Sequence, residues 1–72
     1  MIQVTIFNQD IEHTEFWNCN AIPRTGDWLE LKPRTVKSVS DNVFGEAQTP
    51  YICGQVRKVI WKGDGIILLF VE

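Results

Sequence analysis

The amino-acid sequence predicts an all-β domain, either a small β-barrel or a strongly curled antiparallel sheet of about five to six strands. One long irregular loop, residues 32–50, interrupts it. Three observations carry this expectation. Ile2-Gln3-Val4-Thr5-Ile6-Phe7 alternates with period two. The phrase Gly26-Asp27-Trp28-Leu29-Glu30-Leu31 couples a turn to a second short alternation. Residues 54–61 run through Lys62-Gly63-Asp64-Gly65 into the apolar stretch 66–71, as two strands folded back across a glycine-containing turn do.

Taken in order, the first segment sets Ile2, Val4 and Ile6 on one strand face, and Asn8-Gln9-Asp10 reads as a turn. Residues 13–17 suit a second, shorter strand, with Thr14 and Phe16 on one side and His13, Glu15 and Trp17 on the other. With Phe16 facing in, Trp17 is expected on the outer surface. Asn18-Cys19-Asn20 and Pro23 end that strand, because proline cannot donate to a ladder and restricts the residue before it. Pro23-Arg24-Thr25-Gly26-Asp27 forms a turn, in which an aspartate commonly bonds nearby backbone amides. Leu29 and Leu31 then face the core and Trp28 faces away.

Between residues 32 and 50 the pattern breaks around Pro33 and Pro50, with isolated Val36, Val39, Val43 and Phe44. Val36, Val39 and Val43 fit a helical turn capped by Ser40 or Asp41; residues 35–39 fit a short edge strand equally well. Loops of this length are uncommon in compact domains and are usually functional or mobile. In residues 51–62, Val56 and Val59 stand too close in sequence to share a face of a flat strand. A β-bulge at Arg57-Lys58 returns Val59 and Trp61 to the face of Val56 and bends the sheet. Residues 66–70 are apolar on both faces, so cover is expected from the interior on one side and from the long loop or a second subunit on the other. A structural subunit that dimerises through a seam at 66–71 is the third expectation, one of the two ways of covering that face.

From about residue 23 to residue 71, Gly26, Asp27, Leu29, Leu31, Gly54, Val56, Val59 and Trp61 give the chain a pattern that resembles the SH3-like small β-barrels, the group that includes Tudor and KOW modules. The resemblance implies a barrel whose first strand follows a Gly-Asp turn. It implies a binding role toward peptides, methylated lysine or nucleic acid, and makes the first 22 residues an added hairpin or a closing strand.

Size and charge narrow the classes of function. The chain has 72 residues, enough for one domain near the lower limit of independent folding. Its formal charge is −2, from seven basic and nine acidic residues, so no strong field draws in a polyanion. No apolar run approaches a membrane span. Residues 2–7 alternate without a basic leader, which reads as a strand rather than a signal peptide. Cys19 and Cys53 are accordingly expected as free thiols of a cytoplasmic protein. His13 and Cys19 lack a zinc spacing, so neither a metal nor another cofactor is expected. His13 is the only histidine, which leaves little from which to build a nucleophile and its base. The chain is expected not to be an enzyme.

What remains is contact. Trp17, Trp28, Phe44 and Tyr51 supply aromatic area of the kind enriched in binding hot spots, with Arg34 and Lys37 beside them in the long loop; the bland alternative is aromatics that fill the core. An adaptor that binds a protein partner through these residues is the leading expectation, and an accessory protein of a phage or mobile element fits the size. The second expectation is a nucleic-acid-associated module. Every basic residue lies after Pro23, and Lys32, Arg34 and Lys37 sit where they can reach phosphates. The bland alternative there is a solvated surface of mixed charge.

Overall fold

The computed structural model of the chain describes residues 1–37 and 46–72. The described residues form seven strands: β1 (Ile2–Asn8), β2 (Ile11–Trp17), β3 (Trp28–Leu31), β4 (Thr35–Lys37), β5 (Glu46–Gln48), β6 (Ile52–Trp61) and β7 (Ile66–Val71). Five of them make one strongly curled sheet, a half-barrel in the order β2-β1-β7-β6-β3, while β4 and β5 pair as a small sheet of their own. The all-β, curled architecture expected from the sequence is the one observed. One pairing differs from the antiparallel expectation: β1 and β7, the first and last strands, lie side by side and run parallel at the centre of the sheet.

Each strand follows from its residues. In β1, Val4 and Ile6 are fully buried and face the concave side, and Asn8 joins them there by donating from Nδ2 to the Val71 carbonyl at 3.0 Å. Gln9, at φ 54°, turns the chain into β2, so the first 22 residues add a hairpin to the sheet. The predicted bulge is present: the β6–β7 register shifts between Val56 and Lys58. As a result Val56 lies opposite Val71, Val59 opposite Leu69 and Trp61 opposite Ile67. Trp61 is thereby in register with the core face but exposed at the strand's end. The β6–β7 hairpin closes with Lys62 N–H donating to the Ile66 carbonyl at 2.9 Å, through Gly63, Asp64 and Gly65, all at positive φ.

Val4, Ile6, Ile52, Val56, Ile67, Leu69 and Val71 form the core, with Ile2, Ile11, Trp17, Ile22, Leu29, Leu31 and Val59 packed around it. β7 is two-sided as expected. Ile67, Leu69 and Val71 are buried on the concave face, and Ile66, Leu68 and Phe70 are half-buried on the convex one.

Three sequence expectations need correction or completion. Trp17 is on the concave side, packed on the core, and Phe16 is the exposed neighbour. Strand parity separates two faces without saying which is inner; here Glu15 opposite Val4 and Trp17 opposite Ile2 fix it. Residues 35–37 form a strand, β4, rather than the start of a helical turn, and it pairs with β5. Ser40, Asp41, Val39, Val43 and Phe44 lie outside the described residues.

Candidate functional site

The half-barrel is open between its two edge strands, β2 and β3, and a groove of about 410 Å³ occupies the opening. Its apolar lining comes from Phe16 and Trp17 on β2, from Leu29 and Leu31 on β3, and from Ala21 and Pro23 in the connection between them. A short 3-10 turn, Cys19–Ala21, begins that connection; the Asn18 side chain caps it by accepting from the Asn20 N–H at 3.1 Å. Arg34, in the link from β3 to β4, stands at the rim.

Arg34 is held there by a buried carboxylate. Glu15 is 2 % exposed, and it accepts from His13 Nε2 at 2.7 Å, from Trp17 Nε1 and from Arg34 Nη2. Burial on its own raises the pKa of this carboxyl. The hydrogen bonds from Trp17 and His13, followed by the positive charge of Arg34, outweigh that and hold it below its ordinary value of 4.5. Glu15 therefore ties the far side of the opening to β2. A charged residue pointing inward on an edge strand also discourages another chain from pairing there.

The folded pKa of Glu15 lies below the unfolded one, so its stabilisation is complete above the ordinary carboxylate range and is lost as pH falls through the folded value. Glu15→Gln is expected to lower stability at neutral pH by about 1–3 kcal/mol, because an amide cannot accept from three donors at once. It is also expected to flatten the loss of stability between about pH 5 and about pH 3. Urea unfolding midpoints measured across that range check both effects; parallel curves for the two proteins would contradict them.

The β3 edge is different. Val56 N–H donates to the Asp27 carbonyl at 2.9 Å, and Leu29 and Leu31 lie opposite Gly54 and Ile52. The alternation of an antiparallel ladder then turns the backbone N–H and C=O of Trp28 and Glu30 away from β6, toward the opening. Among the described residues no strand pairs with that side of β3. On its outer face Trp28 is 69 % exposed and Tyr51 is 51 % exposed. The Tyr51 hydroxyl donates to Glu30 Oε2 at 2.9 Å, and that bond first, then the neighbouring Cys53, pushes its pKa up to about 12.

The candidate residues named from the sequence thus divide. Trp17 and Arg34 belong to the groove, and Trp28 and Tyr51 to the outer face of the strands beside it. Lys37 lies in β4, and Phe44 is outside the described residues. Glu15, the acceptor that joins Trp17 and Arg34, escaped sequence reasoning, since an acidic residue in a short strand reads as solvent-facing.

The remaining reactive groups each have other partners or faces. His13 faces the concave side with Glu15, whereas Cys53 lies opposite Glu30 on the convex side and Cys19 is exposed. Asp27 is a turn residue whose Oδ2 accepts from the Arg24 N–H at 2.8 Å. Among the described residues there is no group of three His, Cys, Asp or Glu side chains able to hold a metal ion, and no helix long and apolar enough to cross a membrane. Comparison with protein families, with curated proteins and with solved structures returns no match for this chain.

Proposed function

We propose that this protein is a non-enzymatic binding module that takes an extended segment of a protein partner as an added strand on the free edge of β3. The observation that supports this most is the outward-turned backbone of Trp28 and Glu30 beside the apolar groove. An edge that presents unpaired N–H and C=O groups is a template for strand addition, where main-chain bonds give affinity and alternate side chains give specificity. A strand docked there points one set of side chains onto Leu29, Leu31 and Trp17, and the other set past Trp28 and Tyr51. His13 Nε2 bonds to Glu15 and the Cys19 thiol to Asn20, an arrangement that favours contact over catalysis.

Two variants test the reading. Trp28→Ala removes exposed area, so it is expected to change stability by less than about 0.5 kcal/mol. It is expected to weaken partner binding by about tenfold or more. Glu30→Pro deletes an N–H that β6 does not use and blocks strand addition while β3 stays paired. The measurement is affinity capture from the native host with wild type and both variants. A protein retained by wild type and lost with both variants supports the proposal. Retention unaffected by Glu30→Pro would contradict strand addition. Binding to mixed oligonucleotides that falls steeply with salt would replace the proposal with the nucleic-acid reading. Arg34 argues against that alternative, because its guanidinium is engaged by Glu15.

A further inference from the structure

We infer that the convex face of the sheet is self-complementary, and that a second copy of this chain docks on it face to face, about a two-fold axis running along the central strands. The strand registers set the side chains of this face in rows. Phe7 lies opposite Glu12 on one side and Phe70 on the other, and Phe70 lies opposite Lys58. One row therefore reads Glu12, Phe7, Phe70, Lys58. The two phenylalanine rings at its centre stack with centroids 5.0 Å apart and planes 14° from parallel. The next row reads Thr14, Thr5, Leu68, Ile60.

The symmetry of the first row points to the occupant. With strands about 4.8 Å apart, Glu12 and Lys58 stand at equal distances, about 7 Å, on either side of the midpoint between β1 and β7. Rotation by half a turn about an axis through that midpoint exchanges the two sides. Each Phe7 then meets a Phe70, and, because the sheet curls away from the axis on both sides, each Glu12 faces the Lys58 of the other copy across the rim of the contact. Both charged residues are exposed, and among the described residues neither takes part in an ion pair. An unrelated partner would account for the apolar centre, but not for opposite charges placed evenly about it.

The second row is compatible with the same axis. Thr5 and Thr14 meet Ile60 and Leu68 of the other copy, and the two threonine hydroxyls bond each other at 2.9 Å. When they are covered, each hydroxyl oxygen keeps the other as its partner, one donating and one accepting. An interface of this kind uses the same patch on both subunits and closes at a dimer. It also leaves the free edge of β3 open, so it stands independently of the binding role proposed above.

Sedimentation equilibrium over a concentration series tests it, with wild type, Glu12→Lys, Lys58→Glu and the double exchange. Both substituted positions lie on the surface, and circular dichroism verifies that the fold is kept. Wild type is expected to form a dimer. Each single reversal is expected to weaken the dimer about tenfold, by setting like charges together at two symmetric places. The double exchange restores the opposite pairing and should return the affinity to within about threefold of wild type. A wild type that remains monomeric at its highest soluble concentration overturns the inference. So does a dimer whose affinity the single reversals leave unchanged.

Discussion

Leu69→Ala is expected to lower the free energy of unfolding by about 2–5 kcal/mol. Leu69 is fully buried on β7, where it lies opposite Ile6 of β1 and Val59 of β6 and so joins both neighbours of the central strand. A single core of this size supplies only about 3–5 kcal/mol in total. The variant is therefore expected to be largely unfolded at room temperature. Leu68→Ala is the matched comparison, since Leu68 points to the convex face and is half-buried. In dilute solution it is expected to cost less than about 1.5 kcal/mol. Urea denaturation of the two variants checks the assignment of faces. A stable Leu69→Ala beside an unfolded Leu68→Ala would mean that the sheet curls the other way.

Gly54→Ala is expected to be nearly as damaging, for a different reason. A Cβ built at Gly54 lies 2.4 Å from the carbonyl oxygen of Glu72 and 2.6 Å from its carbonyl carbon. Both are backbone atoms, so no side-chain rotation relieves the contact. The same carbonyl accepts from the Gln55 N–H at 2.7 Å, and the Glu72 N–H donates to the Gln55 carbonyl at 3.0 Å. Relief of the overlap pulls apart the end of the β6–β7 ladder that these two bonds close. The expected loss is about 2–3 kcal/mol, combining overpacking with the weakened pair of hydrogen bonds. Thermal unfolding, together with the exchange rates of the Gln55 and Glu72 amides, measures it. An alanine variant as stable as wild type, with both amides still protected, would contradict the close approach.

Where the local pattern was regular, the strands could be read from the residues alone. β1 shows in the alternation of Ile2, Val4 and Ile6, and β7 in its unbroken apolar run. The β6 bulge shows in the spacing of Val56 and Val59, because a pleated strand has only two faces to offer. The parallel pairing of β1 with β7 left no such trace. It joins opposite ends of the chain, and nothing in either strand marks its neighbour. β4 and β5 are three residues each, too short for period two to stand out near Pro33.

The candidate site was legible in the same uneven way. Parity against Leu29 and Leu31 put Trp28 on the outer face, where it is. Parity in β2 could not decide between Phe16 and Trp17, and the charge of Glu15 argued for the wrong answer. Its burial becomes intelligible only with its donors, and one of them, Arg34, is 19 residues away in sequence. For the same reason Arg34 reads as available for phosphates until its partner is seen.

The central claim is that, among the described residues, no strand lies beside the outward-turned backbone of Trp28 and Glu30. Amide hydrogen exchange resolved residue by residue addresses this in the isolated protein. The predicted result alternates along β3: Leu29 and Leu31, bonded to β6, exchange slowly, while Trp28 and Glu30 exchange at rates close to those of an unprotected chain. Slow exchange at all four positions would show that this side of the strand is already occupied, and would contradict the account.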